Sequence, residues 1–499
     1  MLAFVLAFIL ITVLVGLVIY ARWHYGTLEK LGIPMVGKPF LIFGNTIDAY
    51  SKAGGALDIE RFNKFGPIYG VYEGRHPQIH ICDAELIRLV TTKDSEYFND
   101  KRRLDFRDPL LNEMPDFQAY EKWKVVRNFL TPAFSSAKIK LMMGSMVVTL
   151  QRFCDHLKSE VVSSPGQKME KFNLHGEYFS MITDLISRCC FSIEIENPSD
   201  PQNLFVNIVR GLLSPDNVGY PMLEVLTYSF PILQKIAPGM MNAKLSNDFG
   251  EIFSEMMAAR KKSGENKRDI IDLCLEQMDK LDTPEYKRLN ITKRTIICQA
   301  LVFFFAGQDQ MSSIASCMIN NMLKNPEVEK KVYQELDQFL KKHNGKIDYE
   351  NISELQYLFA CITETVRLVP FFSRTERVCT KDWENKEFDL KIKEGMTMII
   401  PIWAANRNPK YFPNPEKFDP ERFMPKNKDK LHPYALTSFG HGPRNCIGQR
   451  FSNETMVLLS AFVLKQFKFH LRSDSEPAYV PAGPFFSPHT PFYFDVTLR

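Results

Sequence analysis

The chain has 499 residues, 45% of them hydrophobic, and a formal net charge of +4 from 62 basic and 58 acidic side chains. That is enough apolar content to bury one large core or two modest ones, which excludes a mostly disordered chain, and the basic residues are too scattered for a nucleic-acid arm. Ten cysteines show neither a C-x-x-C pair nor the dense spacing of a secreted disulfide framework, so reduced thiols are the simpler reading.

Taken in chain order, the first element is Leu2 to Ala21, an uncharged and mostly aliphatic run with the length of one membrane span. A cleaved signal peptide usually has a basic residue before its apolar stretch and a small-x-small site after it. Here Arg22, His24 and Lys30 follow the stretch, which points to an uncleaved anchor with the C-terminal bulk in the cytosol. Residues 1–22 are therefore read as a membrane anchor. Residues 23–45, with Gly32-Ile33-Pro34 and Gly37-Lys38-Pro39, are read as a stiff connector. No repeat and no later linker divides the rest, so 46–499 is read as one domain.

Ile291 to Lys324 runs without proline and predicts one long helix that crosses the molecule and ends at Asn325-Pro326. Ser353-Glu354-Leu355-Gln356 reads as a capping box opening a second helix, which must stop before Pro370 and puts Glu364 and Arg367 on one face. From Phe371 to Ile400, and again from Phe467 onwards, β-branched and aromatic residues interspersed with Gly and Pro predict short strands. The fold class is mainly α with a smaller β part.

The most informative segment is Ser438-Phe439-Gly440-His441-Gly442-Pro443-Arg444-Asn445-Cys446-Ile447-Gly448-Gln449-Arg450. A cysteine that ligates a metal must be deprotonated, and backbone N–H groups in a tight loop opening a helix favour the thiolate. Gly440 and Gly442 permit the turn, and Gly448 allows close approach to a flat ligand. Arg444 supplies a cation for an anionic group, and Phe439 would shield the sulfur from water.

This segment resembles the haem loop of the cytochrome P-450 superfamily, F-x-x-G-x-R-x-C-x-G, at every fixed position. Three further blocks agree with the family in order and spacing: Glu364 with Arg367, then Pro420-Glu421-Arg422-Phe423, and Trp123-Lys124-Val125-Val126-Arg127. The resemblance implies the cytochrome P-450 fold preceded by one transmembrane helix, with haem b held by the Cys446 thiolate. Trp123, Arg127, Arg377 and Arg444 would contact the haem propionates. Glu364, Arg367 and Arg422 would form a buried ion network behind the haem, and Ala306 would lie over it. Local wording is closest to microsomal members, among them insect detoxification and vertebrate drug-metabolising enzymes. For those the resemblance implies the cytosolic face of the endoplasmic reticulum membrane and an NADPH-dependent flavoprotein reductase as electron donor, with cytochrome b5 as a further partner. It also implies a lipophilic small-molecule substrate and no nucleic acid.

One departure stands out. Relatives carry A-G-x-[DE]-T-[ST] on the central helix, where acid and threonine serve proton delivery to dioxygen; this chain reads Ala306-Gly307-Gln308-Asp309-Gln310-Met311-Ser312-Ser313. Gln310 stands in the threonine position. Its amide can donate and accept, through a longer arm. Three readings follow: ordinary monooxygenation using Asp309, Gln310 and water; a haem-thiolate enzyme working on a preformed peroxide or as an isomerase; or a poorly coupled or silent enzyme. A one-residue slip that turns Ser312 toward the iron, and a non-enzymatic haem sensor, stay open beside them.

Phe303, Phe305, Phe371, Phe372, Phe485 and Phe486 fall where relatives line the substrate chamber, and core packing alone explains each equally well. The Leu104–Tyr120 stretch would roof that chamber. Lys122, Lys124, Lys138, Lys140 and Arg450 are read either as a docking face for an acidic reductase or as scattered solvated charge. His441 is expected on the solvent side of its loop. The pair Cys189 and Cys190 is read as helix packing.

Overall fold

The computed structural model describes the chain except residues 51, 53–54, 104, 201, 214–225, 228, 238, 240–241 and 480–489. Leu2–Ala21 forms a single helix of 20 residues, exposed along its length until Ala21 and long and apolar enough to cross a membrane. At about 1.5 Å per residue it spans roughly 30 Å, the thickness of a hydrocarbon core. Its last turn is fixed to the body: the Arg75 guanidinium lies 4.1 Å from the Tyr20 ring centroid, and Tyr20 packs on Phe230 at 5.6 Å.

Segment 23–45 lies against the first hairpin. Pro34 accepts from the Gly70 amide at 2.7 Å, Asn45 donates from its backbone to Tyr72 at 2.7 Å, and Leu28 and Ile33 are buried. The hairpin itself, Ile68–Glu73 and His76–Ile81, turns at Gly74 with φ 56°. His76–Ile81 pairs in parallel with Thr397–Pro401, which pairs antiparallel with Arg374–Val378 to complete a four-stranded sheet. Phe494–Leu498 is the middle strand of a three-stranded sheet, antiparallel to Lys168–Phe172 on one side and to Phe467–Leu471 on the other, and Trp383–Asn385 pairs with Leu390–Ile392. Short strands thus occur in both regions where the sequence predicted them, and the rest of the described chain is mainly helical.

The centre of the larger core is the Lys293–Leu323 helix of 31 residues, opened by a reciprocal cap between Thr292 and Thr295. It packs most extensively on the Leu174–Phe191 helix. A Cβ on Gly307 would come within 3.2 Å of Ile186, so the close approach of the two helices favours glycine there.

The second predicted helix is present over Gln356–Leu368, but its cap is not the Ser353 box. Ile352–Glu354 forms a separate 3-10 turn, and Leu355 precedes the helix with no side-chain cap. Glu335, from the neighbouring Pro326–Lys342 helix, accepts instead from the amides of Tyr357 at 2.6 Å and Leu358 at 2.9 Å. A carboxylate gains both hydrogen bonds and the positive end of the helix dipole there. Local sequence cannot show a cap that arrives from another element.

Candidate functional site

The loop before the Gln449–Gln466 helix is a tight reversal. The Cys446 amide donates to the Phe439 carbonyl at 2.8 Å, and Gly440 and Gly442 take φ of 67° and 74°. Gly442 is fixed by space as well, since a Cβ would fall 1.7 Å from the Thr91 carbonyl oxygen. At Gly448 a Cβ would meet Phe134 at an ordinary 3.4 Å, so contacts within the protein do not demand glycine. Phe439 is half-buried against the large core.

All ten cysteines are described; nine are buried and Cys446 is exposed. Yet its sulfur sits deep in the protein mass, and burial pushes its thiol above the ordinary value. A side chain both deeply placed and accessible faces an internal opening rather than the outer surface. The Gly448 and Gln449 amides and the Arg127 charge pull the pKa down as the sequence suggested, but burial outweighs them. The loop therefore favours the thiolate without holding it alone; a bound cation would complete the deprotonation.

Basic side chains surround this opening. Arg127, on the Tyr120–Leu130 helix, donates to the Asn445 carbonyl at 2.8 Å and to its side-chain oxygen at 2.9 Å. Arg444 donates to the Asn99 carbonyl at 2.9 Å, lies 3.6 Å from Asp100, and stacks 4.3 Å from the centroid of the buried Trp123 ring. Its Nη1 is buried with no partner among the described residues. Arg377 gives Nη1 to the Glu376 carbonyl at 2.7 Å; burial and the neighbouring Arg444 bring its guanidinium down to about 10. Lys101, paired with Asp116 at 2.5 Å, is likewise lowered by burial. The carboxylates acting on Lys101, Arg377 and Arg444 are Asp100, Asp116 and Glu376, and Glu376 is itself paired with Arg102 at 2.7 Å. A buried guanidinium nitrogen without a partner among the described residues, beside cations whose pKa values burial lowers, fits an anionic group such as a carboxylated macrocycle. His441 differs from expectation: its Nε2 is buried, its ring packs on Tyr434 at 4.9 Å, and burial lowers its pKa.

Behind the loop, Arg367 is fully buried and makes a two-pronged pair with Glu364 at 2.6 and 2.8 Å. Glu364 also accepts from the Asp419 amide at 2.9 Å, and Arg422 Nε stands 3.5 Å away. Sequence reasoning missed the residue that joins this network to the loop. Asn406 accepts from Arg367 through its carbonyl at 3.0 Å, donates from its amide to Ser438 at 2.8 Å, and accepts from Thr437 at 2.9 Å. A polar residue directly after Trp403-Ala404-Ala405 was the only trace of it.

On the central helix, Ala306 is exposed although most of the helix is buried, and Gln310, one turn on, shares its face. Gln310 Nε2 is buried without a partner among the described residues. Asp309 turns elsewhere, to His175 at 3.0 Å. Ser312 is buried and returns its hydroxyl to the Gln308 carbonyl at 2.8 Å, so it does not substitute for a threonine at 310. Phe303 stacks on Phe134 at 5.1 Å and packs with Val126, Phe129 and Leu130, which is the core-packing alternative. Phe305 is half-buried beside the large core. Phe371 and Phe372 are half-buried and meet edge to face at 5.5 Å, and Phe485 and Phe486 lie outside the described residues. Lys122 leaves the expected docking face. It is buried and holds Glu113 at 2.6 Å and the Asn290 carbonyl at 2.9 Å. Lys124, Lys140 and Arg450 are exposed.

A sequence model of the family described as Cytochrome P450 matches residues 34–496. The chain belongs to the cytochrome P450 family. Among curated relatives, cytochrome P450 3A56 of Fundulus heteroclitus is 31% identical over 464 residues, 92% of this chain and 91% of the relative. Cytochrome P450 3A13 of Mus musculus is 31% identical over 498 residues, 98% of this chain and 96% of the relative. Cytochrome P450 3A7 of Homo sapiens is 31% identical over 461 residues, 91% of this chain and 89% of the relative. As a cytochrome P450 the chain is a monooxygenase whose cofactor is haem b with an axial cysteine thiolate. Its apolar N-terminal helix accords with anchoring in the endoplasmic reticulum membrane.

Proposed function

We propose that this cytochrome P450 inserts one atom of dioxygen into a lipophilic small molecule, a xenobiotic or an endogenous lipid. Electrons would come from NADPH through a flavoprotein reductase, with cytochrome b5 as a further donor. The observation that carries the proposal is Cys446, the one exposed cysteine, deep in the protein on a loop closed by Arg127. Among the described residues no cluster of three or more His, Cys, Asp or Glu could cage a bare ion. An iron held by one cysteine must therefore bring its other ligands with it, as in a porphyrin.

In this proposal Cys446 is the protein's ligand, and Arg377, Arg444 and Lys101 hold the propionates, with Trp123 packed beneath Arg444. Haem bound there would supply the redox chemistry of dioxygen, with the Cys446 thiolate as its electron-donating ligand. The chain's own part is to position and to manage protons. Gln310 shares a face of the helix with Ala306, and its amide nitrogen is buried with no partner among the described residues. Such a group can orient a water without itself releasing a proton. Asp309 is the nearest carboxylate along the helix.

The catalytic domain, 46–499, would sit on the cytosolic face behind the anchor 1–22 and connector 23–45. Arg22 and Lys30 follow the anchor, and Arg75 joins them in space. The pKa of His24 is lowered by burial and by the neighbouring Arg75. Of the basic residues read as a docking face, Lys124, Lys140 and Arg450 are exposed, Lys140 paired with Glu350 at 2.8 Å and Arg450 with Glu454 at 2.7 Å.

The test reconstitutes the protein with haem, reductase and NADPH, and measures product per NADPH in the parent and in Gln310→Thr. Monooxygenation gives product in the parent and better coupling in the variant. If the parent is inert with reductase yet converts a lipid hydroperoxide, the peroxide-rearranging alternative takes its place.

A further inference from the structure

Asp309 Oδ1 lies 3.0 Å from Nε2 of His175, and the same nitrogen is 3.3 Å from the Ser313 hydroxyl. Ser313 follows Asp309 by one helical turn, so a single imidazole edge meets both side chains on one face of the central helix. His175 is the second residue of the Leu174–Phe191 helix, whose start is fixed by the Asn173 side chain accepting from the Gly176 amide at 3.0 Å. About a fifth of each side chain stays accessible, 21% for His175 and 17% for Asp309. The pair is thus held between two packed helices and still open to water.

The sequence departure makes this arrangement consequential. A threonine hydroxyl can receive one proton and release another, whereas the Gln310 amide N–H is not acidic enough to do so near neutral pH. Proton supply past position 310 then depends on titratable groups close by, and His175 with Asp309 is such a pair in direct contact. A neutral imidazole has one N–H and one lone pair on opposite edges, which suits it to pass a proton through.

We propose that His175 relays protons from solvent to Asp309, acting through that carboxylate as a positioning residue for oxygen chemistry on the neighbouring face of the helix. This deepens the monooxygenase reading and rests on it. A proton from water enters at Nδ1, directly or through a neighbouring donor, and the Nε2 proton passes to Asp309 Oδ1. One proton enters and one leaves, no electron moves, and exchange with water restores the tautomer. Ser313 keeps the ring in register.

The test compares the full-length haem protein with His175→Gln, which retains a donor toward Asp309 but cannot carry a proton, and with His175→Phe, which removes both functions. Turnover with NADPH and reductase is followed on benzyloxyresorufin, testosterone and lauric acid. In both variants product per NADPH is expected to fall about tenfold or more, peroxide release to rise, and the solvent deuterium isotope effect on coupled turnover to increase. Turnover driven by added hydrogen peroxide, which brings its own protons, should stay within about twofold of the parent. In the diamagnetic ferrous carbon monoxide complex with labelled histidine, Asp309→Asn should shift the His175 resonance. Parental coupling and isotope effect in His175→Gln would reduce the contact to a tether between helices and overturn the relay. Equal loss of peroxide-driven turnover would do the same by exposing a structural role. If the parent forms no product from any of the three probes with reductase, it is the monooxygenase reading that falls.

Discussion

Arg127 holds Asn445 at two points, 2.8 Å to the carbonyl and 2.9 Å to the side-chain oxygen, and Asn445 is the residue before Cys446. The position of the sulfur is therefore set by a cation on a helix more than 300 residues earlier in the chain. Two hydrogen bonds from a charged donor to one residue restrict both the backbone and the side chain of the loop. Arg127→Ala is expected to lower stability by about 1–3 kcal/mol and to reduce haem retained per protein. Arg127→Lys, which keeps the charge but not the two-pronged contact, should fall between the two. Denaturant titration and haem content after gel filtration measure both effects.

The Glu364–Arg367 pair lies at zero exposure. Removing one partner leaves a buried charge without its counter-charge, at a cost of about 3–5 kcal/mol. Arg367→Ala should therefore fail to yield soluble haem protein at growth temperature. Asn406→Ala, which cuts the link from this network to Thr437 and Ser438, should fold and lose haem faster. Expression yield and the rate of haem transfer to an acceptor protein separate the two outcomes.

Much of this was legible in the sequence because the informative contacts are local: the Phe439–Cys446 turn, the three-residue step from Glu364 to Arg367, and the proline-free run of the central helix. What escaped is what the chain assembles from afar. Glu335 caps a helix it does not belong to, Asn406 connects two motifs from outside both, and Asp309 meets His175 from 134 positions away. Lys122 shows the same limit in reverse. Its neighbour Lys124 is exposed, but the turn of the Tyr120–Leu130 helix carries Lys122 inward to Glu113.

That contrast gives the two lysines different expected phenotypes. Lys122→Ala leaves the Glu113 carboxylate, which also accepts from Thr295 at 2.7 Å, without its cation, and should lower the thermal midpoint with little change in reductase KM. Lys124→Glu should leave the midpoint alone and raise the reductase KM in a way that salt abolishes. Melting curves and reductase titrations at two ionic strengths distinguish them.

Asp495, on the last strand, ties that strand to its neighbours through Lys168 at 2.8 Å, Arg472 at 2.7 Å and the Lys171 amide at 3.1 Å. Burial pulls its carboxyl upward, but these partners together bring it to about 2. The unfolded chain, titrating near about 3.9, then binds more protons than the native one between those values, so stability rises with pH across the window. The contribution is complete above about pH 4 and is lost as pH falls through about 2. Asp495→Asn should flatten that acid limb in a series of melts and leave the slope above pH 5 unchanged, roughly a unit clear of the window.

The measurement closest to the central claim is the carbon monoxide difference spectrum of the reduced, haem-loaded protein, taken for the parent and for Cys446→Ala. If Cys446 is the thiolate ligand, the parent shows the red-shifted thiolate band and the variant loses it while keeping its fold by circular dichroism. A parent without that band, or a Cys446→Ala protein that retains it, would contradict the assignment.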